Sequence, residues 1–529
     1  MKSVRSAKVP DPDWTSHQGL GRRTLLTAGG VAGLTALAGC GSNPSTPAPS
    51  TANPSPTSPS PSPTAAGPIP WSQLASTVAG TLTLPGSARY GATRLTENPR
   101  FDAARPLAVL SVARGAAGEK DVQTAIRFAR DHEVPLAIRA GGHSYAGWSS
   151  GGSPRALVLD LRPLSGVGVT GTQATLGSGV SLAVAYAALA DAGRAIPGGS
   201  CATVGLGGLT LGGGVGVLTR AFGLTSDNVT SARMVNADGE VVIAHAGSDP
   251  DLLWALRGGG GRLGVVTSFT MTTHAAPLVH TFYRRWSASS AAQVVPAWQD
   301  WITSADRQAW STLKLLGGAT HPSGPSLLMS GTWIGAAGSN PLPQLLAQCP
   351  APLGSFDSTL TYGQAMASYA GCAGVPASQC NTGPGGVLER EALAATSHVA
   401  STKLTGSGIT AIVDAVGATP GALKEAGISI DALGGATDDI APDATAWSHR
   451  GALFTVQYTA TVTDVGRIQH AQNWARHLRA TMTPSWGEAG YVNYVDPIVP
   501  SSAYFGAHLG RLRSIKHNLD PTGVFGPSW

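Results

Sequence analysis

Between Gly198 and Gly216 the chain places nine glycines in nineteen residues: Gly198-Gly199-Ser200-Cys201-Ala202-Thr203-Val204-Gly205-Leu206-Gly207-Gly208, then Gly212-Gly213-Gly214-Val215-Gly216. A glycine fixed on folding loses more backbone freedom than any other residue, so such a run is costly for a plain hydrophobic core. Backbone drawn close around a ligand accounts for it better, and a cradle of N–H groups for a pyrophosphate is the expectation. Gly205, Gly207, Gly208, Gly212, Gly213, Gly214 and Gly216 are its candidates, with Val204 beside them and Asp227-Asn228 just beyond. Cys201, taken alone, reads equally as a buried structural cysteine.

A second glycine motif is Arg139-Ala140-Gly141-Gly142-His143-Ser144-Tyr145. Here an exposed histidine beside two glycines can act as a nucleophile on an activated cofactor carbon; the plainer account is a strand-to-loop turn with a capping histidine. The third set closes the chain: Tyr491-Val492-Asn493-Tyr494-Val495-Asp496. Its tyrosines and Asn493 offer polar groups for a substrate hydroxyl or a cofactor, against the alternative of aromatic packing on an edge strand. Gly259-Gly260-Gly261-Arg262-Leu263-Gly264 matches GxGxxG but in the wrong context. A helix precedes it and a strand follows, whereas a dinucleotide fingerprint needs the reverse.

The periodicities give an α+β chain. Strands are expected at 107–112, 134–139, 156–161, 166–170, 173–177, 239–244 and 264–271, with helices at 119–132, 181–192 and 251–257. From 279 strands (327–333, 427–433, 453–459) alternate with helices (291–305, 408–415). The expected organisation is a signal at 1–40, a linker at 41–70, a ligand domain at 71–278, a substrate domain at 279–487, and a return to the ligand domain at 488–529.

The N-terminus reads as a targeting segment. Arg22-Arg23 form a twin-arginine pair before an apolar stretch too short to span a membrane, and Leu37-Ala38-Gly39-Cys40 resembles a bacterial lipoprotein cleavage box. On that reading Cys40 carries a lipid that anchors the exported protein to the extracytoplasmic face of the cell membrane; an uncleaved anchor helix or an ordinary signal peptide are the alternatives. The twin-arginine route exports folded proteins, as one that must first acquire a large cofactor requires. The Pro/Ser/Thr-rich stretch after Cys40 cannot bury enough apolar surface to fold and serves as a tether. The net charge is +5, of which the first 39 residues carry five cations and two anions, leaving close to +2 and no basic run. Nucleic acid is therefore not an expected partner. No CxxC is present, and no metal site is expected. In an oxidising compartment Cys372 with Cys380 is the best-placed bridge, leaving Cys349 unpaired or as the alternative partner.

Together these motifs resemble the berberine bridge enzyme-like family of FAD-linked oxidases, in the vanillyl-alcohol-oxidase/PCMH-type superfamily. The likeness runs from about Thr93 to the C-terminus and includes the 251–258 run and Gly264-Val265-Val266-Thr267-Ser268-Phe269. It implies a two-subdomain FAD-binding domain plus a substrate domain whose antiparallel sheet is covered by helices. It implies FAD held through His143 on the flavin 8-methyl carbon and through Cys201 on C6. Arg139, Gly141, Gly142, Ser144, Tyr145, Asp227, Asn228, Gly264, Val265, Val266 and Asn493 join the glycine cradle as cofactor contacts. Hydride passes from a hydroxyl-bearing carbohydrate or alcohol to flavin N5, with Tyr494 as base, Asp431 as the supporting carboxylate and Tyr491 beside them. Val204 is similar to a residue that leaves room for dioxygen, implying an oxidase that yields hydrogen peroxide. A dehydrogenase with another acceptor, or a non-catalytic exported ligand-binding lipoprotein, are the competing readings. Arg262-Leu263, Ala503 and His508 depart from the family pattern and bear on substrate identity. Trp148 and Trp333 are candidate walls for a sugar face.

Overall fold

The computed structural model describes residues 68–529. The twin-arginine pair, Cys40 and the linker as far as residue 67 lie outside the described residues, among which no helix is long and apolar enough to cross a membrane.

Three main sheets organise the chain. The first has the order Thr81–Thr83, Ala108–Ser111, Leu157–Asp160, Leu136–Arg139, and its last three strands run parallel. Leu157–Asp160 is buried along its whole length, as a parallel strand covered on both faces must be. The crossover helix Gly115–Asp131 lays Val122, Ala125, Ile126 and Ala129 against it as one stripe at helical spacing. The second sheet is antiparallel, in the order Val167–Thr170, Gln173–Gly177, Val265–Thr272, Val229–Val235, Val241–His245. The third is a seven-stranded antiparallel sheet spanning 278–462, in the order Gly354–Thr361, Leu278–Ser287, Ser326–Trp333, Ala309–Gly317, Glu425–Ala432, Phe454–Val462, Ala392–Ala400. The helices Ala291–Ser304, Gly406–Gly417 and Ile468–Trp486 cover one of its faces.

The inverted GxGxxG lies between the helix Pro250–Leu256 and the strand Val265–Thr272, so the order is the opposite of a dinucleotide fingerprint. Cys372 and Cys380 form a disulfide, and Cys349 is unbridged.

The sequence reading does not include the strands Leu278–Ser287, Ala309–Gly317, Gly354–Thr361 and Ala392–Ala400, nor two further elements with a weak pattern. Val229–Val235 holds Thr230, Ser231 and Arg233 between its buried residues, which blurs its apolar pattern. Ile468–Trp486 buries a narrow stripe of Ala471, Ala475, Leu478 and Met482 under a face of Arg, His and Gln, and ends over Pro484. Val492–Tyr494 is one 3-10 turn rather than a strand.

Two buried groups join the large sheet to the glycine-rich part. The Arg220 guanidinium donates to the carbonyls of Ala305, Ala309 and Leu433. Asp227 and Arg450 form an ion pair with side chains 4 % and 3 % exposed.

Candidate active site

The site starts from strand register. Thr312 pairs with Asp431, Asp431 with Thr455, Lys314 with Ser429, and Ser429 with Gln457. Directly paired residues point to the same side of a sheet. These six polar side chains therefore share one face, while Leu313, Ile428, Ile430 and Val456 turn to the helix-covered face. The polar face meets the two glycine motifs. The Gln457 amide donates to the Tyr145 hydroxyl at 2.8 Å.

The glycine motifs are locked to each other by backbone. A Cβ on Gly141 would stand 2.2 Å from the Gly205 nitrogen, and one on Gly205 would stand 2.3 Å from the Gly141 nitrogen. Only two glycines tolerate that approach, and it brings the His143 and Cys201 segments side by side. His143 Nε2 lies 2.8 Å from the Thr203 hydroxyl. Burial lowers the His143 pKa to about 4, with the Thr203 carbonyl pulling the other way. Cys201 is exposed outside any disulfide, yet desolvation pushes its thiol pKa up, Lys314 opposing and Asp431 adding. The thiol is thus accessible, while the groups around it disfavour its ionised form.

The tyrosines complete the wall. The Tyr145 ring is stacked on that of Tyr494 with centroids 5.7 Å apart, and Tyr491 meets Tyr494 edge-on at 4.8 Å. The Tyr491 hydroxyl accepts from the Gly214 and Val215 amides and from Asn493, whose amide also donates to the Leu209 carbonyl. Burial raises the Tyr491 pKa to about 12. Burial, then the nearby Asp431, raises Tyr494 further, and its hydroxyl takes no hydrogen bond from the described residues. Asp431 is itself raised by burial, with Thr312 and Lys314 holding it back.

Several expected cofactor contacts are turned to other work. Arg139, 1 % exposed, donates to the carbonyls of Thr93, Arg94 and Ser149, so it ties loops together behind the His143 segment. Asp227 is committed to Arg450 and the Leu224 amide, and Asn228 to the Phe222 and Leu224 carbonyls and to His274. Val265 and Val266 are core residues, and Gly264 admits Met234 and the Val235 carbonyl. Gly212, Gly213, Gly214 and Gly216 make room for Asn493, Trp447, Thr225 and the Gly198 carbonyl, while Gly207 abuts Ser178. Much of the cradle thus serves close packing within the protein. Gly208 has nothing within 4 Å of its missing Cβ, and Gly142, at φ +81°, has nothing nearer than 3.5 Å. The Ser144 hydroxyl accepts from the Trp148 amide, and Val204 is half-buried against the core. Trp333 is buried and donates to Ala336, so it is no sugar wall; Trp148 is 49 % exposed under the Arg262 guanidinium.

Four residues that the sequence reading does not single out belong here: Gln457, Lys314, Thr203 and Glu97. The first two had a signal, being polar positions at period two inside otherwise apolar strands. The groups present suit a planar heterocycle. One wall is backbone open at Gly208, one edge carries a neutral imidazole and an accessible thiol, and the other wall is hydrogen-bonding.

Comparison with known proteins agrees. Residues 112–245 match the FAD binding domain family and residues 490–527 the berberine and berberine like family. The uncharacterised FAD-linked oxidoreductase YvdP of Bacillus subtilis (strain 168) is 30 % identical over 417 residues, covering 77 % of this chain and 88 % of its own. The BBE-like 1 structure of Physcomitrella patens superposes with a TM-score of 0.78 at 28 % identity, over 87 % of this chain and 98 % of its own. Glucooligosaccharide oxidase of Acremonium strictum, whose FAD is 6-S-cysteinyl, 8α-N1-histidyl, gives 0.74 at 26 %, over 86 % and 97 %. The α+β, PCMH-type FAD-binding fold is theirs. The chain belongs to the berberine bridge enzyme-like family of FAD-linked oxidoreductases.

Proposed function

We propose that this chain is an exported oxidase which holds FAD on two covalent bonds, at His143 and Cys201, and oxidises a hydroxyl-bearing carbohydrate or alcohol with dioxygen as acceptor. The observation that carries the reading is convergence. The apposition of Gly141 and Gly205 sets His143 and Cys201 on one cleft, and Tyr494 and Asp431 face the same cleft. The bicovalent flavin of the A. strictum oxidase supports the linkage, and that enzyme's name supports a carbohydrate substrate. When bound, the flavin supplies a two-electron acceptor for a C–H bond beside a hydroxyl.

The side chains supply the proton chemistry. Tyr494 presents to the substrate a hydroxyl with no hydrogen bond among the described residues, and its raised pKa keeps it a phenol. Asp431, whose own proton affinity is raised, is the carboxylate that ends the transfer. Gln457 holds Tyr145 by the hydrogen bond to its hydroxyl, and Tyr145 fixes the Tyr494 ring through the stack. Lys314 offsets the charge of Asp431. The half-buried Val204 beside Cys201 supports access for dioxygen; replacing it with leucine should slow reoxidation of the reduced protein in air. Slow reoxidation of the unaltered protein would instead indicate a dehydrogenase.

The test is acid denaturation of the wild type, His143→Ala, Cys201→Ala and the double variant. Flavin retained by each single variant and lost from the double establishes both bonds; flavin released by the wild type refutes them. Arg22-Arg23, the apolar stretch and Cys40 support export with a lipid anchor. Loss of fatty-acid labelling in Cys40→Ala would establish the anchor, and an unlabelled wild type would exclude it.

A further inference from the structure

Beside His143 stands a chain of hydrogen bonds that the proton chemistry at Tyr494 and Asp431 does not use. Thr203 sits between His143 and Glu97. Its hydroxyl is 2.8 Å from His143 Nε2 and bonds the Glu97 carboxylate. Glu97 is held from two other directions: its amide donates to the Gly142 carbonyl at 3.3 Å, and the Thr382 hydroxyl donates to its two oxygens at 3.2 and 3.0 Å. Thr382 follows the Cys372–Cys380 bridge, which packs on Ala202 next to Cys201.

The donor inventory fixes the direction of the chain. An ionised carboxylate only accepts, so the single Thr203 hydroxyl hydrogen points to Glu97. The Thr203 oxygen then accepts from His143, which places the ring proton on Nε2. In a neutral imidazole this leaves Nδ1 with its lone pair, and the ring is neutral because burial takes its pKa to about 4. Glu97, half-buried, has its own proton affinity raised by desolvation, against the pull of Thr382, Arg162, Arg390 and Thr203.

We propose that Glu97 and Thr203 form a relay that prepares His143 Nδ1 as the nucleophile for its own attachment to the flavin. This rests on the reading of His143 as an attachment residue. Nδ1 supplies the electron pair of the new N–C bond to the flavin methyl carbon. One proton leaves that carbon, and the Nε2 proton leaves through Thr203 to Glu97. The two electrons released remain on the flavin ring until dioxygen removes them as hydrogen peroxide. Glu97 and Thr203 are positioning residues: they touch the histidine and act through it.

The test uses the full chain in a Cys201→Ala background, where only the histidine can retain flavin. Flavin uptake before denaturation, and flavin fluorescence of the chain on a denaturing gel, are followed over time after FAD addition. Thr203→Val and Glu97→Gln are expected to take up FAD but to become covalently labelled at least about 100-fold more slowly, the scale of a lost proton-transfer group. Thr203→Ser is expected to restore the rate. Labelling of Thr203→Val and Glu97→Gln at the parent rate would overturn the relay while leaving His143 as the attachment site. Variants that take up no FAD would make these residues part of the binding wall and also overturn it. A Cys201→Ala parent that releases all its flavin would remove the attachment reading itself.

Discussion

The backbone of Gly141 runs so close to that of Gly205 that neither position has space for one more carbon. This single crossing sets the distance between the loop carrying His143 and the loop carrying Cys201.

Gly205→Ala should therefore cost about 1–3 kcal/mol, the usual range for forcing a methyl into close-packed surroundings. Chemical denaturation would show it as a lower midpoint. The same variant should lose covalent flavin, because the two loops must part. Unchanged stability and labelling would mean the crossing relaxes freely.

Asp431 should trade stability for activity. Burial raises its pKa above the ordinary 3.8. The folded chain then holds this proton more tightly than the unfolded one, so Asp431 weakens the fold as pH rises from 3.8 through the raised value. At neutral pH Asp431→Asn is expected to raise the denaturation midpoint, with the gain disappearing in acid. Turnover should fall about 100-fold or more, as for a lost general base. A variant that is both destabilised and active would exclude the role.

Acid should weaken the protein partly through His398. Its Nδ1 is 2.7 Å from the Tyr458 hydroxyl in a fully buried cluster, and desolvation takes its pKa from 6.5 to about 3. The unfolded chain binds this proton below pH 6.5 and the folded chain does not, so stability falls as pH drops through that window. His398→Gln is expected to reduce the difference in urea midpoint between pH 7 and pH 5. An unaltered difference would place the acid sensitivity elsewhere, at His143 or His449, both of which burial lowers to about 4.

Arg220→Met should leave the Ala305, Ala309 and Leu433 carbonyls unsatisfied inside the protein. A loss of about 3–5 kcal/mol is expected, as when one partner of a buried charged network is removed. Denaturant midpoints measure it, and a loss below about 1 kcal/mol would show that water takes the place of the guanidinium.

The elements expected as far as residue 271, and the rejection of the inverted GxGxxG, were legible because they depend on local pattern; of the seven-stranded sheet only Ser326–Trp333, Glu425–Ala432 and Phe454–Val462 were. A helix stripe, a buried parallel strand and a glycine that must accept positive φ all write themselves into adjacent residues. The short Cys372-to-Cys380 loop was readable for the same reason. Ile468–Trp486 was hidden because its apolar stripe is narrow, and Val229–Val235 because its polar residues interrupt the pattern.

The sequence by itself determined which chemical groups the protein owns: an imidazole, a thiol, two tyrosines and a glycine run to bring them close. It did not determine which way each group turns. Arg139, Asp227 and Asn228 stand among the motifs and yet spend their hydrogen bonds on loops within the protein. Gln457, 312 residues from Tyr145, reaches the cleft through strand register, and Glu97 reaches His143 through Thr203. Partnership of this kind is set by which donors and acceptors packing leaves within about 3 Å of one another. That distance depends on the register and crossing of distant strands, which only the tertiary structure fixes.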